Sequence, residues 1–172
     1  MALLEILTVP DPRLREICKP VTVFDTRLKK LADDMFETMY AAPGIGLAAP
    51  QVGVLERLLV ADISSREEGE KPDRHCLVNP EIIWASEETC PYNEGCLSLP
   101  QQYAEVIRPA EVKVRYFTVA GEQAELHAKG LLATCIQHEM DHLDGELFVD
   151  HLSRIKRDMI LRKLAKFKRG QE

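Results

Sequence analysis

The chain lacks a long apolar run: no hydrophobic stretch approaches the ~20 residues that a membrane-spanning helix needs. Its opening, MALLEILTVPDPRLRE, has no basic segment ahead of an apolar core, carries Glu5 early and is not rich in Arg and Ser. It reads as neither a signal peptide nor a transit peptide. The five cysteines (Cys18, Cys76, Cys90, Cys96 and Cys135) are odd in number and form no CxxC pair. In a chain without an export signal they read as reduced thiols, one of them a candidate ligand, and the expected location is cytoplasmic. Repeats and low-complexity segments are also missing. A disulfide scaffold, a membrane span and a repeat array are thereby set aside.

What is present is the composition of an ordinary globular protein: 172 residues, 45% hydrophobic and 29% charged, enough for one domain over 1–172 with a substantial core. The formal charge of −6 hides an asymmetry. From Ser153 onward eight Lys/Arg stand against Asp158 and Glu172, a local +6, which leaves −12 on residues 1–152. An acidic body with a basic tail hints at a partner.

LKKLADDMFETMY (28–40) puts Leu28, Leu31, Ala32, Met35, Phe36, Met39 and Tyr40 on one helical face, with Asp25 or Thr26 as N-cap. Pro43 and Gly44 end that helix and open the loop GIGLAAPQVG (44–53). VLERLLVADI (54–63) and EIIWASEE (81–88) read as strands, and 64–75 as a solvated loop. EVKVRYFT (111–118) alternates like a half-buried strand and turns at Ala120–Glu122 into AELHA (124–128), a hairpin. GLLATCIQHEMDHL (130–143) and RIKRDMILRKLAKFK (154–168) read as helices. On the second, Ile155, Met159, Ile160 and Leu164 are expected to pack on the body, leaving a solvated basic face. Strands in the middle with helices near each end predict an α+β fold, mostly antiparallel strands around a central helix.

That central helix carries HExxH. Positions i and i+4 share a helix face, so His138 and His142 can converge on one metal, while Glu139 points about a quarter turn away, toward water. A catalytic site needs a third protein ligand. HExxHxxGxxH would require a histidine at 148, where Phe stands. The helix after His142 offers Asp158 among Lys and Arg rather than a glutamate, and His151 sits in a short connection. Cys135 lies on the histidine face but about 10 Å from His142 along the axis, at ~1.5 Å per residue, and reads as a buried hydrophobe beside the site. Cys96 stands out by its setting in NEGCLSLP (93–100), between Gly95 and Pro100, whose rigid, irregular backbone suits a ligand.

GIGLAAPQVG (44–53), EGCLSLP (94–100) and QHEMDHLDG (137–145) together resemble, in order and spacing, the three signature motifs of bacterial-type peptide deformylases, and the likeness runs over essentially the whole chain. The resemblance implies hydrolytic removal of formate from N-terminal N-formylmethionine of nascent polypeptides. Its implied metal ligands are Cys96, His138 and His142, with Glu139 as acid/base and the Gln51 amide and Leu97 N–H on the formyl oxygen. Gly46 would lie along the substrate backbone, and Ile45, Tyr92, Glu94, Leu131, Thr134, Cys135 and His138 would surround the methionine side chain. Family members vary at the positions of Tyr92 and Thr134. The implied ion is Fe²⁺ in the cell, with Zn²⁺, Ni²⁺ or Co²⁺ in purified protein. The basic C-terminal helix becomes a candidate for docking on ribosomal RNA.

Two other readings compete. One is a HExxH peptidase cutting internal bonds; the other is a noncatalytic, metal-stabilised module that docks on RNA through its tail. GIGLAA also matches G-x-G-x-x-A, but a helix precedes it and Pro50 follows, so no nucleotide cofactor is expected.

Overall fold

The computed structural model describes residues 2–171. A first helix, α1 (Thr26–Ala41), is capped by Asp25, whose side chain accepts from Leu28 N. It buries Leu28, Ala32, Met35, Phe36 and Met39 on one face, as its periodicity predicts. Seven strands follow: β1 (Gly46–Ala48), β2 (Leu58–Ala61), β3 (His75–Ala85), β4 (Thr89–Cys96), β5 (Leu99–Pro109), β6 (Glu111–Phe117) and β7 (Gln123–Lys129). The central helix, α2 (Gly130–Leu143), and the terminal one, α3 (Arg154–Arg169), complete the chain. The fold is α+β, as expected.

Five strands form one antiparallel sheet in the order β1-β2-β3-β6-β7, and β4 pairs with β5 as a separate hairpin. α2 lies against the larger sheet: Ala133, Ile136 and Leu143 share one apolar cluster with Ala48, Leu59, Leu77, Val112 and Val114. α1 fills a second cluster with Leu47, Leu58, Val60 and Val78. A third joins β5 to α3 through Leu99, Val106, Phe148, Ile160 and Leu164.

The structure differs from the sequence reading in five places, the first being the expected loop 44–53, which holds β1 (Gly46–Ala48) and a 3-10 turn over Ala49–Val52. The 54–63 strand is confined to Leu58–Ala61, because residues 55–57 bond instead to the N-terminal segment (Lys19 N to Leu55 O, Arg57 N to Lys19 O). β3 starts at His75 and ends at Ala85, earlier than 81–88. Register shifts on both sides of Glu81, with Asn79 at φ 51°, carry the strand past Pro80. β4 and β5 were not expected, since Pro91, Asn93, Gly95 and Pro100 break the alternation; a two-stranded hairpin has only edge strands, where proline is tolerated. Finally, Ile155 (75%) and Met159 (45%) are exposed, and only Ile160 and Leu164 of the four pack on the body. Five residues turn a helix by about 140° beyond a full turn, so Ile155 cannot share the face of Ile160.

Candidate metal centre and active site

α2 carries two stripes. Ala133, Ile136 and Leu143 face the sheet, and Leu131, Thr134, Cys135, His138 and His142, spaced as i, i+3, i+4, i+7 and i+11, lie along another face. Gly130, at φ 58°, supplies the left-handed residue through which β7 bends into α2. His138, Glu139 and His142 are all buried.

Cys96 arrives from the β4–β5 hairpin. Gly95 pairs with Tyr103 but Cys96 pairs with Leu99, so Pro100–Gln102 bulge out between the two pairs. Bulges re-aim side chains, and here Cys96 Sγ comes 3.3 Å from His142 Nε2. One ligating atom from each of Cys96, His138 and His142 lies within 4.8 Å of the others. Cys135 is not in that group. His151 instead joins Asp141 and Glu146 in a separate, more exposed cluster.

The surroundings fit a bound cation. His138 Nδ1 is 2.9 Å from Glu94 Oε1, which fixes the ring and leaves Nε2 for an ion. Burial, with the Arg108 guanidinium nearby, lowers the His142 pKa well below the ordinary histidine value, which disfavours a proton on the ring and suits a metal ligand. Glu139 Oε1 and His142 Nδ1 are buried with no hydrogen-bond partner among the described residues. A thiolate with two imidazoles suits borderline divalent ions and leaves a coordination position open.

Glu94 is the residue whose place differs most from a simple pocket wall. It borders the cavity, but its carboxylate is held behind His138 by Arg108, at 2.7 Å from Nε and 3.0 Å from Nη2. Burial opposes its charge, yet hydrogen bonds from His138 and Arg108 outweigh that and keep its pKa below the usual glutamate value. Arg108 also reaches Asp141 at 2.8 Å, and Asp141 in turn meets His151 at 2.8 Å. Arg108 escaped the sequence reading; on β5 it is buried together with Leu99, Gln102 and Val106.

Gln51 is aimed by its own carbonyl. Oε1 accepts from Ala48 N at 2.9 Å, so Nε2 turns toward Ser98 Oγ (3.0 Å) and Cys96 Sγ (3.5 Å). Ser98 is a second residue the sequence reading missed. Leu97 stands in the two-residue turn after Cys96. Burial pushes the Glu139 carboxyl up to about 7. Gly46 lies so close to it that an added Cβ would sit 2.5 Å from Glu139 Oε2 and 2.7 Å from Cys135 Sγ.

A cavity of about 670 Å³ opens beside these groups. Ile45, Gly46, Gln51, Tyr92, Glu94, Cys96, Leu97, Leu131, Thr134, Cys135, His138 and Glu139 all border it. His142, 1% exposed, lies deeper. The residues to which the resemblance assigns a role thus border this cavity or, as His142, lie just beneath it, whereas His151 does not border it.

Residues 3–158 match the family described as Polypeptide deformylase. The chain belongs to that family. It is 57% identical over 166 residues to the peptide deformylase of Phenylobacterium zucineum, covering 96% of this chain and 97% of that one. The crystal structure of a peptide deformylase from Legionella pneumophila superposes with a TM-score of 0.91 at 49% identity, covering 99% of this chain and 98% of the other. A peptide deformylase from Ehrlichia chaffeensis, in complex with actinonin, gives a TM-score of 0.92 at 43% identity, with 98% and 99% covered. The deformylase reaction is metal-dependent hydrolysis of the formyl group on N-terminal N-formylmethionine, and it is the activity of this chain.

Proposed function

We propose that Cys96, His138 and His142 hold the catalytic ion and that residues 1–172 act as one catalytic unit on formyl-Met nascent peptides. The convergence of the hairpin thiol with both helix imidazoles carries this reading. The ion is proposed to be Fe²⁺ in the cell, with Zn²⁺, Ni²⁺ or Co²⁺ able to replace it in purified protein. A divalent ion there supplies Lewis acidity and water that is nucleophilic at neutral pH.

The remaining steps belong to the side chains. Glu139 takes the proton of the attacking water and delivers it to the departing amine as the C–N bond breaks. Gln51 Nε2 and the Leu97 N–H stabilise the negative charge that develops on the former carbonyl oxygen. Gln51 suits this role because it is a neutral donor and its orientation is fixed by Ala48. Gly46, lacking a side chain, lets an extended substrate backbone lie beside Glu139. Ile45, Tyr92, Leu131, Thr134 and Cys135 surround the methionine side chain, and the same cavity is proposed to take actinonin.

Among the described residues no helix is long and apolar enough to cross a membrane. We place the enzyme in the cytoplasm, with the exposed Lys and Arg of α3 attracting ribosomal RNA phosphates. Unchanged ribosome co-sedimentation at low salt after removal of 154–172 would discard the ribosome docking.

The central test is formate release, measured without oxygen, from a formyl-Met tripeptide and its acetyl counterpart by wild type and Cys96→Ala. Formate from the formyl peptide with wild type alone is expected. Cleavage of internal bonds would favour a peptidase, and full activity in Cys96→Ala would remove Cys96 from the ligand set.

A further inference from the structure

One side of the cavity mouth is a lip, residues 42–46, that runs from the end of α1 into β1 and borders the cavity throughout. Its main-chain groups are few and their partners can be followed one by one. Ala42 N and Gly44 N donate back to α1, at Thr38 O and Met39 O. Pro43 has no N–H. Ile45 O accepts from Asp62 N at 2.9 Å, beside the start of the 62–74 loop. Gly44 O accepts from Arg66 Nη2 at 2.7 Å.

Arg66 is itself held. The same Nη2 donates to Asp62 O at 3.2 Å, and the guanidinium lies 4.7 Å from the centroid of the Tyr40 ring. Tyr40 OH bonds to Asp62 Oδ2 at 2.5 Å, while Asp62 Oδ1 accepts from Ser64 N and Asp73 N, tying both ends of the loop. The other side of the cleft is equally near. A Cβ built on Gly44 would stand 2.8 Å from Leu97 Cδ1, so the lip rests directly on the residue that follows Cys96.

We infer that Arg66 is a positioning residue: it straps the Gly44 carbonyl to the 62–74 loop and so sets the separation between the Gly44–Gly46 edge and the Cys96–Leu97 turn. It touches neither the metal ligands nor Glu139 and acts only through the lip. Substrate entering between the two edges is therefore bound less well when the strap is cut, while the chemical groups keep their places. This inference rests on the proposed use of the cleft for an extended formyl-Met peptide.

The test compares Arg66→Ala and Arg66→Lys with wild type, all metal-loaded, on a formyl-Met tripeptide. Arg66→Ala is expected to raise KM about three- to five-fold, the size of one exposed charged contact, with kcat and bound metal unchanged. Arg66→Lys, which keeps a donor but not the planar stacking group, should recover part of the loss. Hydrogen exchange at the Gly44–Gly46 amides should quicken in Arg66→Ala and stay near wild type elsewhere. Unchanged KM and exchange would overturn the strap, as would a fall in kcat that tracks lost metal. If wild type released no formate, the reading of the cleft would fail, and the exchange measurement alone would still decide whether Arg66 holds the lip.

Discussion

Glu94 stands directly behind His138, its Oε1 2.9 Å from the ring Nδ1, and both are buried. The arrangement couples three elements, because Glu94 comes from β4, His138 from α2 and the buried Arg108 that clamps the carboxylate from β5. Glu94→Ala removes the acceptor that fixes the His138 ring and leaves Arg108 without its main counterion. Metal affinity is expected to drop about 10- to 100-fold, read by competition with a chromogenic chelator. Stability should also fall by about 3–5 kcal/mol, the usual result of stranding a buried charge. Wild-type affinity in Glu94→Ala would show that the Glu94 contact does not tune the site.

Glu139 offers a cleaner separation of binding from chemistry. It is outside the Cys96–His138–His142 group, and its Oε1 has no partner among the described residues. Glu139→Gln should retain stoichiometric metal and lose about 10²–10⁴-fold in kcat, the range for removing a general acid/base. Metal analysis and formate release on the same sample decide it. Activity within a factor of ten of wild type would assign proton transfer elsewhere.

Gly46 is constrained from the opposite side. A methyl group there would meet Glu139 Oε2 at 2.5 Å and Cys135 Sγ at 2.7 Å. Both neighbours are buried and cannot simply swing into solvent. Gly46→Ala should therefore lower kcat/KM by at least about ten-fold through a displaced Glu139, the cost expected of small misplacements at a reacting centre. Pairing it with Cys135→Ala, which clears one of the two clashes, should restore part of the loss. Wild-type kinetics in Gly46→Ala would mean that Glu139 can move without consequence.

The helices were legible in the sequence because period and punctuation agree. α2 spans Gly130–Leu143 as expected, and Asp25 caps α1. The histidines followed from i, i+4 spacing alone. Cys96 needed two further facts, a missing ligand and an irregular Gly–Pro setting, and its exact aim depends on a bulge that spacing cannot foretell. Arg108 was hidden for another reason. A charged residue on a strand normally faces water, and only the pairing of β5 with β4 reveals that its alternate residues turn inward. The exposure of Ile155 is a similar case: apolar character suggested burial, but the register of α3 on β5 is set by Ile160 and Leu164.

Away from the site, Arg15 and Asp150 join the N-terminal segment to the turn after α2 at 2.5 Å. Burial raises the Asp150 pKa, but the Arg15 hydrogen bond and the Leu147 N–H outweigh it and hold it below the ordinary aspartate value. A depressed folded-state pKa gives stability that is present above the unfolded value, about 3.9, and is lost as pH falls through the folded one. Wild type should therefore lose more unfolding free energy than Asp150→Asn between about pH 5 and pH 2, and the two should run in parallel above that window. Urea titrations across that range provide the measurement. Parallel curves throughout would show the pair to be energetically silent.

Metal removal distinguishes a catalytic ion from a structural one. The described residues bury three apolar clusters, which include Leu28, Met35 and Met39 on α1 and Leu77, Val112 and Ile136 between sheet and α2. Such a core does not depend on the ion, unlike a small metal-nucleated domain. The apo-protein is expected to keep its far-ultraviolet circular dichroism and a cooperative thermal transition while releasing no formate. Restoring metal should raise the transition through preferential binding to the folded state, by about 4 kcal/mol when free ion is 1,000 times Kd. Excess chelator that unfolded the chain outright would instead make the ion a structural element, the behaviour of a metal-stabilised docking module.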